Sequence, residues 1–409
     1  MDRKEGYRNK KILFVINTLG GGGAEKALIQ LLKQISPEEY DVSLLVLLGQ
    51  GERIHEVPAY VNICNTDYSD ASVLSQEGKR ILIRHVLKRM FFGMSIVKNA
   101  RYLMKNLHYM RKVQKKVNVE KLLWRVMADG VPPLQETYDL AVAYLEGGAT
   151  YYVQRHVQAV QKAAFVHVDY GQAGYFRGLD QGCYDTFDRI FTVSEEVKEG
   201  FLRVYPEYWK KTDLFYNQMD QQEIRALAKE PGGFTDDYPG KRILTVGRLT
   251  EQKGYEIALK AMKLLVEKGY EAQWYVLGEG NQREKLERQI RQLGLEADFL
   301  LQGAVDNPYP YYAQCDLYVH ATRFEGKSIA VQEAQTLGCA ILVSDTDGNR
   351  EQVKDGYDGA VCSLNAVSIC HAVECLLSDD ELRKIYGKRA AKIVSETENV
   401  KKLFGMAEV

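Results

Sequence analysis

Apolar residues occur in short blocks along the chain, and each block is followed by a turn and then by apolar positions at helical spacing. The first block, from Lys11 to Asn17, leads into a glycine-rich stretch that ends at Gly23, and helical spacing follows from Ala24 to Leu32. Further strands are predicted in the first half at 42–48, 138–145, 163–168 and 189–193. Buried strands that alternate with amphipathic helices are typical of a parallel sheet covered on both faces.

The pattern stops near Tyr216 to Asp220 and starts again at Lys241 to Val246, after a polar stretch. Strands of the second half are predicted at 241–246, 272–277, 298–302, 316–320, 340–344 and 358–361. The predicted domains are 1–217, 218–385 and a C-terminal helical segment, 386–409, that we expect to cross back to the first domain. This is an α/β layout of two doubly wound, Rossmann-like domains facing a cleft, with ligands at the carboxyl ends of the strands.

The composition is that of a globular protein, because 45% of the 409 residues are hydrophobic and 27% are charged. Such a length is enough for two or three domains with their own cores. No stretch approaches the roughly 18 apolar residues of a membrane helix, and no signal-peptide pattern precedes the first strand. Seven scattered cysteines form neither a CxxC pair nor a Cys/His cluster. We therefore expect a cytoplasmic protein with reduced cysteines.

The charge is distributed unevenly. The net charge is −1, yet residues 79–127 carry fourteen Lys or Arg and one acid, Glu120, for a local charge of +13. Apolar residues at helical spacing separate these cations, which is typical of basic amphipathic helices on anionic membranes. The cations expected to contact the membrane are Arg84, Lys88, Arg89, Lys98, Arg101, Lys105, Arg111, Lys112, Lys115 and Lys116. The alternatives are a helical insertion with a solvated basic face, and a nucleic-acid surface, which the acidic remainder of the chain disfavours.

Two carboxylates, Glu325 and Glu333, flank a tight turn and the start of an amphipathic helix. The seven residues between them place Glu325 in the loop and Glu333 one to two turns inside the helix, so that both can face one ligand. The backbone N–H groups of Gly326, Lys327 and Ser328 favour an anion at this helix start. A nucleotide sugar, with hydroxyls at both ends and phosphates between them, fits this pattern.

A second group of candidate residues follows the strand at 241–246. A turn after this strand presents Arg248 and Lys253 at its carboxyl end, and Gly278-Glu279-Gly280 follows the next strand. An arginine fork and a lysine ammonium suit a diphosphate and stabilise the charge that develops as it leaves. Taken alone, the two cations fit a solvated basic loop equally well, and the neighbouring motifs favour the phosphate site.

These motifs, together with Gly22-Gly23-Ala24-Glu25 near the N-terminus, resemble the retaining glycosyltransferases of family 4, the group 1 transferases with the GT-B fold. The resemblance covers nearly the whole chain in the right order, apart from residues 79–127. The roles that it implies are diphosphate contacts for Arg248 and Lys253, a donor-sugar contact for Glu325, a ribose contact for Glu333, and close approach of the backbone to the donor at Gly22 and Gly23. The other expected donor-site residues are Gly278, Glu279, Gly326, Lys327 and Ser328.

The resemblance further implies a metal-independent hexosyltransferase that needs no cofactor besides its nucleotide-sugar donor, which we expect to be UDP-linked. Transfer would retain the anomeric configuration by a front-face route in which the leaving phosphate helps to deprotonate the acceptor. The expected acceptor is a lipid-linked or cell-envelope polysaccharide at the inner face of the cell membrane. His167 matches a histidine that the family has near the transferred sugar, although a lone histidine at a strand end is more often structural. Asp169 could orient it or contact the acceptor.

Three other classes of protein fit the sequence less well. A catalytically silent, transferase-like partner of another glycosyltransferase would be free to lose the charged motifs. An NAD-linked oxidoreductase is weakly supported, because Glu25 stands where a third glycine is needed. An ATPase is disfavoured, because Ala321 stands where the loop that ends in Gly326-Lys327-Ser328 would need a glycine.

Three features depart from the family or imitate another one. Asp345 and Asp347 resemble the acid pair that binds a metal in the other transferase fold, but we expect no metal there. Lys327 and the Asn349-Arg350-Glu351 element replace residues that are more usual in the family. Because these positions lie near the donor, they leave its sugar undetermined.

Overall fold

The computed structural model describes residues 9–73, 75–114, 117–170, 173–393 and 398–407. The chain divides into two compact units, Met1–Gln218 with Glu396–Val409, and Met219–Ser395. Each unit contains one parallel sheet accompanied by helices. The prediction of an α/β chain built from two doubly wound units is therefore confirmed.

A seven-stranded parallel sheet forms the centre of the first unit. Its strands are β1 (Lys10–Ile16), β2 (Tyr40–Val46), β3 (Asn62–Ile63), β4 (Thr137–Ala143), β5 (Gln158–Val166), β6 (Arg189–Thr192) and β7 (Thr212–Leu214). They lie in the order β3-β2-β1-β4-β5-β6-β7, so the order reverses between β1 and β4. The short edge strands β3 and β7 were not predicted, because two or three residues are too few to show a period.

Helices cover this sheet and also form the basic insertion between β3 and β4. They are α1 (Gly23–Lys33), α2 (Gln76–Phe91), α3 (Ser95–Lys98), α4 (Ala100–Tyr109), α5 (Val119–Asp129), α6 (Gly148–His156), α7 (Arg177–Asp180) and α8 (Glu195–Val204). Short 3₁₀ segments lie at Glu52–Glu56, Phe92–Met94, Tyr184–Thr186 and Pro206–Lys211, with a π turn at Met110–Gln114. The described residues of the segment 79–127 are mainly helical, as predicted, and lie in α2 to α5 and the short segments that join them.

The second unit is built around a six-stranded parallel sheet. Its strands are β8 (Lys241–Val246), β9 (Ala272–Leu277), β10 (Phe299–Gly303), β11 (Leu317–His320), β12 (Ile341–Ser344) and β13 (Ala360–Cys362). Their order is β10-β9-β8-β11-β12-β13. Because the order reverses between β8 and β11, the carboxyl ends of these two strands border the crevice where ligands of such sheets bind.

The helices of the second unit pack on both sides of its sheet. They are α9 (Gln221–Leu227), α10 (Tyr255–Glu267), α11 (Arg283–Leu293), α12 (Tyr309–Gln314), α13 (Ile329–Thr336), α14 (Asp347–Gln352), α15 (Ala366–Ser378) and α16 (Asp380–Ala390), with a 3₁₀ turn at Glu251–Lys253. Trp274 on β9 is fully buried and donates to the Thr245 hydroxyl at 3.0 Å. This bond ties β9 to β8 behind the strand-end loops.

The last helix, α17 (Glu398–Phe404), belongs to the first unit. The segment predicted as one helical stretch from residue 386 is two helices, because α16 ends at Ala390 in a turn. Leu403 and Phe404 are buried in the core of the first unit, where the Phe404 ring centroid lies 5.1 Å from that of Tyr40. The first unit thus takes part of its core from the end of the chain.

Candidate functional site

The loops that follow β8 and β9 interlock through glycines. Gly278 has a φ of +147°, and a Cβ built on it would lie 2.1 Å from the Gly247 carbonyl oxygen. A Cβ on Gly280 would lie 2.3 Å from the Leu249 carbonyl oxygen. Only glycine fits such positions without moving backbone. Gly278 and Gly280 therefore hold the Arg248 loop in place, whereas Glu279 is paired with Arg283 at 2.5 Å.

The loop that carries Lys253 is fastened to the loop after β11. Gly254, with a φ of +59°, packs so closely that a Cβ on it would lie 2.6 Å from the Ala321 carbonyl oxygen. The Arg323 N–H donates to the Gln252 carbonyl at 2.8 Å, and the Gln252 amide donates to the Phe324 carbonyl at 2.9 Å. These backbone contacts bring Lys253 beside Glu325 although 72 residues separate them.

Glu325 is the centre of a charged cluster at the switch point of the sheet. Its Oε2 accepts a hydrogen bond from the Lys253 ammonium and lies 3.3 Å from His320 Nε2 and 3.5 Å from the Thr322 hydroxyl. Burial raises the pKa of Glu325, but the Lys253 charge and the His320 contact outweigh it and lower this pKa to about 2. The carboxylate is therefore ionised at neutral pH and acts as a hydrogen-bond acceptor.

His320, the last residue of β11, is almost fully buried. Burial, with the nearby Lys253 charge, lowers the pKa of His320, so the ring is neutral at neutral pH. Its Nδ1 lies 3.2 Å from the Tyr318 hydroxyl. Sequence analysis missed this histidine; the signal was its position at a strand end, five residues before Glu325.

Glu333 lies on α13 inside the second unit and is 2% exposed. Its Oε1 accepts from the Tyr309 hydroxyl at 3.2 Å, and its Oε2 accepts from the Tyr312 hydroxyl at 3.1 Å. The two carboxylates of the motif thus differ in this structure: Glu325 is paired with a cation in a loop, and Glu333 is held by two buried tyrosines. The assignment of Glu333 to a ribose stays a prediction.

The N–H groups at the start of α13 are not all directed at a ligand. The Ser328 N–H donates to Gln352 Oε1 at 2.6 Å, and the Ser328 carbonyl accepts from the same amide at 2.9 Å. The expectation that the Ser328 N–H is free is therefore wrong, because α14 supplies its partner. Gly326 and Lys327 are half-buried beside it.

Two further charged positions flank the switch point. Arg248 is exposed, and no ion-pair partner for it lies among the residues that the structure describes. Asp345 is paired with Arg350 at 2.5 Å, and this arginine lowers the pKa of Asp345. Across the described ranges, no group of three or more His, Cys, Asp or Glu residues is placed to hold a metal ion.

The glycine loop after β1 in the first unit lies beside carboxylates. A Cβ on Gly22 would lie 2.2 Å from a Glu25 carboxylate oxygen, and a Cβ on Gly21 would lie 3.3 Å from Glu52 Oε1. Gly22 precedes α1, and Gly23 is its exposed first residue. Close negative charge disfavours a phosphate at this loop and suits hydroxyl groups better. This charge environment was not expected from the glycines alone.

His167 follows β5 and packs against aromatic rings. Its ring centroid lies 5.2 Å from that of Tyr144, and its backbone N–H donates to Glu146 Oε2 at 3.0 Å. Burial lowers the pKa of His167 to about 4 and raises that of Glu146. Its Nε2 is buried without a hydrogen-bond partner among the described residues. Asp169 is paired with Arg203 at 3.2 Å.

The helical insertion exposes cations and large apolar side chains side by side. The cations of the predicted membrane contact that are exposed are Arg84, Lys88, Lys98, Arg101, Lys105, Arg111 and Lys112. Arg89 is half-buried, and Lys115 and Lys116 lie outside the described residues. The side chains of Phe91, Met94 and Val97 are each 66% exposed around the turn between α2 and α3. No helix in the described part of the chain has the length and apolarity needed to cross a bilayer.

The two parallel α/β units, with candidate ligand groups in the loops at their strand ends, have the architecture of the GT-B fold. Residues 235–393 match the family model described as "Glycosyl transferases group 1". The resemblance seen in the sequence is confirmed for this part of the chain.

Curated relatives include two bacterial transferases. The chain is 30% identical over 220 residues to the N-acetylgalactosamine-N,N'-diacetylbacillosaminyl-diphospho-undecaprenol 4-alpha-N-acetylgalactosaminyltransferase of Campylobacter jejuni, covering 53% of this chain and 58% of that protein. It is 23% identical over 412 residues to the poly(glycerol-phosphate) alpha-glucosyltransferase of Bacillus subtilis, covering 90% of this chain and 59% of the other. The alignments thus span less than two thirds of either relative.

Solved structures extend the likeness of fold to nearly the whole chain. Anabaena Alr3699/HepE, crystallised in complex with UDP-glucose, aligns with a TM-score of 0.64 at 17% identity, covering 98% of this chain and 99% of that one. TarM aligns with a TM-score of 0.66 at 12% identity over similar shares. At these identities the likeness concerns the fold alone.

Proposed function

We propose that this chain is a glycosyltransferase that moves a hexose from a nucleoside diphosphate sugar, UDP-linked, to a lipid-linked or cell-envelope glycan. The observation that carries this proposal is the Glu325 cluster at the reversal of strand order between β8 and β11. Ligands of open α/β sheets bind at such a crevice. The match of residues 235–393 to the group 1 glycosyl transferases supports the same class of reaction.

The charged groups at this crevice suit the sugar and the diphosphate of such a donor. Glu325 Oε2 is occupied by Lys253 and His320, which leaves Oε1 as the oxygen to accept bonds from sugar hydroxyls. Lys253 and the exposed Arg248 would bind the diphosphate and stabilise the negative charge that develops on it as the glycosidic bond breaks. A carboxylate whose pKa is about 2 is a poor proton donor, so Glu325 positions the sugar and does not act as a general acid.

The proposed transfer retains configuration and needs no metal. Attack from the same face as the departing diphosphate lets a phosphate oxygen take the acceptor proton. Arg248 and Lys253 supply the electrostatic stabilisation of the diphosphate that a metal ion gives in metal-dependent transferases. His167, beside Glu146 in the first unit, is the candidate for contact with the transferred sugar. Its neutral ring, with pKa near 4, can donate or accept a hydrogen bond at neutral pH.

The names of the relatives and the surface of the helical insertion support the proposed acceptor class. The Campylobacter relative is named for a diphospho-undecaprenol acceptor, and the Bacillus relative for poly(glycerol phosphate). Exposed cations and apolar side chains on α2 to α4 fit an anionic membrane surface, where each nearby Lys or Arg contributes about 1 kcal/mol. We therefore place the enzyme peripherally on a membrane that carries its acceptor.

A screen of UDP- and GDP-sugars, read by mass spectrometry of the released nucleotide, tests the donor. We expect one or a few UDP-sugars to be hydrolysed slowly without acceptor, and Glu325→Ala to abolish this release. Glu296→Ala, which changes an exposed glutamate of the same unit, is the matched control and should release nucleotide at the wild-type rate. Calorimetric binding of UDP with no release from any sugar would favour the silent partner instead.

A further inference from the structure

Behind Glu325, buried polar side chains form a chain that leads to Glu333. Glu325 Oε2 lies 3.3 Å from His320 Nε2, and His320 Nδ1 lies 3.2 Å from the Tyr318 hydroxyl. The Tyr318 ring centroid lies 5.2 Å from that of Tyr312, whose hydroxyl donates to Glu333 Oε2 at 3.1 Å. His320, Tyr318 and Tyr312 are each at most 1% exposed.

The partners of His320 determine which of its nitrogens carries the proton. An ionised carboxylate only accepts hydrogen bonds, so the contact with Glu325 requires a proton on Nε2. A neutral ring then has Nδ1 as its acceptor, and the Tyr318 hydroxyl donates to it. The tautomer follows from this network, because each group has a single role that satisfies both contacts.

His320 differs from Lys253 in what it can do when a donor binds. The Lys253 ammonium is shared between Glu325 and any diphosphate at the crevice, because phosphate oxygens compete for the same charge. His320 is buried behind the carboxylate and cannot reach the ligand. It therefore keeps one bond on Oε2, and with it the direction of Oε1, while Lys253 changes partners.

We propose that His320, oriented by Tyr318, is a positioning residue that holds Glu325 in the direction needed to bind the donor sugar, and that Tyr312 extends this support to Glu333. This proposal rests on the proposed function, because it assigns a support to the sugar contact of that site. The bond between His320 and Glu325 orients the group that contacts the sugar and not the groups that contact the nucleotide. Its loss should therefore weaken binding of a UDP-sugar more than binding of UDP.

Calorimetry on the full chain with UDP-glucose, UDP-galactose, UDP-N-acetylglucosamine and UDP tests this difference. We expect His320→Leu to weaken the best-bound UDP-sugar about ten-fold, the usual effect of losing a hydrogen bond to a charged group, and to change UDP binding less than two-fold. His320→Gln, whose amide can replace the Nε2 donor, should restore most of the sugar affinity, and Tyr318→Phe should lie between the two variants.

The matched control is His156→Leu, which breaks another histidine–carboxylate pair, with Asp129 at 2.8 Å in the first unit. It should leave both affinities unchanged. Equal binding of the UDP-sugar by His320→Leu and wild type, or an equal loss of UDP-sugar and UDP with no rescue by His320→Gln, would overturn the positioning role.

Nitrogen NMR of the histidine rings separates failure of this proposal from failure of the proposed function. We expect a neutral His320 ring protonated at Nε2 in the ligand-free protein, and a shift of its Nε2–H signal in Glu325→Gln. A ring protonated at Nδ1 would overturn the proposal whether or not any sugar binds. A wild-type chain that binds no nucleotide would overturn the proposed function, and the sugar-specific role with it.

Discussion

The two units place opposite charges at equivalent points of similar sheets. In the first unit, the glycine loop after β1 lies beside the carboxylates of Glu25 and Glu52. In the second unit, the loop after β8 presents Arg248 and holds Lys253 against Glu325. A strand, a loop and a helix therefore do not determine the ligand; the side chains around the loop do. Our proposal assigns the diphosphate to the loop of the second unit, where the two cations lie.

Two carboxylates, Glu325 in the second unit and Asp180 in the first, show how the charge of the partner affects the pKa of an acid. In the second unit, Lys253 and His320 hold the pKa of Glu325 at about 2 despite its burial. In the first unit, Asp180 accepts hydrogen bonds from the Tyr151 and Tyr170 hydroxyls, and burial raises its pKa to about 7. The cationic partner keeps Glu325 ionised at neutral pH, whereas the neutral tyrosine donors leave the pKa of Asp180 near neutral pH.

The largest effect is expected from removing the acid at the cationic loop. Glu325→Ala should lower kcat/KM about 1,000-fold, which corresponds to a loss of about 4 kcal/mol of transition-state stabilisation. The donor sugar loses a hydrogen-bond acceptor, and Lys253 loses its ion-pair partner. Glu52→Ala, at the acidic loop of the first unit, should lower kcat/KM less than three-fold. Steady-state kinetics with the UDP-sugar found in the screen measure both. Equal losses would contradict the inference that Glu325, and not Glu52, contacts the donor sugar.

The next effect is the pH dependence of stability that Asp180 confers. Its folded pKa of about 7 exceeds the ordinary 3.8, so the folded state holds a proton that the unfolded state releases between these values. Asp180 should therefore lower the free energy of unfolding by about 3 kcal/mol as pH rises from 4 to 7, whereas His167, whose pKa is lowered to about 4, contributes with the opposite sign over the same range.

Asp180→Asn tests this sign, because an amide does not titrate. Between pH 5 and pH 7.5, urea unfolding should show the free energy of unfolding of the variant rising relative to that of wild type by about 2 kcal/mol, because the opposing contributions of Glu146 and His167 are common to both proteins. A difference between variant and wild type that stays constant across this range, or that falls as pH rises, would contradict the assignment.

A glycine-to-alanine substitution in the loop of the second unit should cost about 2 kcal/mol more folding stability than one in the loop of the first unit. In Gly278→Ala the new Cβ meets a backbone oxygen at a φ of +147°, so we expect a clear loss of thermal stability. In Gly22→Ala it meets the end of the flexible Glu25 side chain, which can move aside. Thermal unfolding followed by circular dichroism compares them, and a similar Tm for both variants would be inconsistent with the interlocked loops of the second unit.

The smallest effect concerns single cations of the helical insertion. Arg101→Ala should weaken binding to anionic vesicles by about 1 kcal/mol, and Arg291→Ala, an exposed arginine of the second unit, should not. Binding should also fall with added salt, because screening shortens the reach of exposed charges. Co-sedimentation measures both. Vesicle binding that persists without residues 79–127 would remove the assignment of this surface.

Local patterns were enough to predict the long strands, the helical insertion and the loops that carry Arg248, Lys253 and Glu325, because each depends on neighbours in the sequence. They could not reveal that Gln352 binds the Ser328 backbone, or that Tyr309 and Tyr312 enclose Glu333, since these contacts join separate helices. His320 was missed for a related reason: a polar residue at a strand end shows its role only when its two partners are known.

The return of α17 to the first unit has a consequence for synthesis. Leu403, Phe404, Met406 and Ala407 complete a core whose other buried members precede residue 218. A ribosome makes the chain from the N-terminus, so the first unit emerges without this helix. Its core can be completed only after the whole of the second unit has been made. A chain cut after residue 218 would leave the surface around Tyr40 uncovered. The order of translation therefore favours complete folding of the second unit before the first.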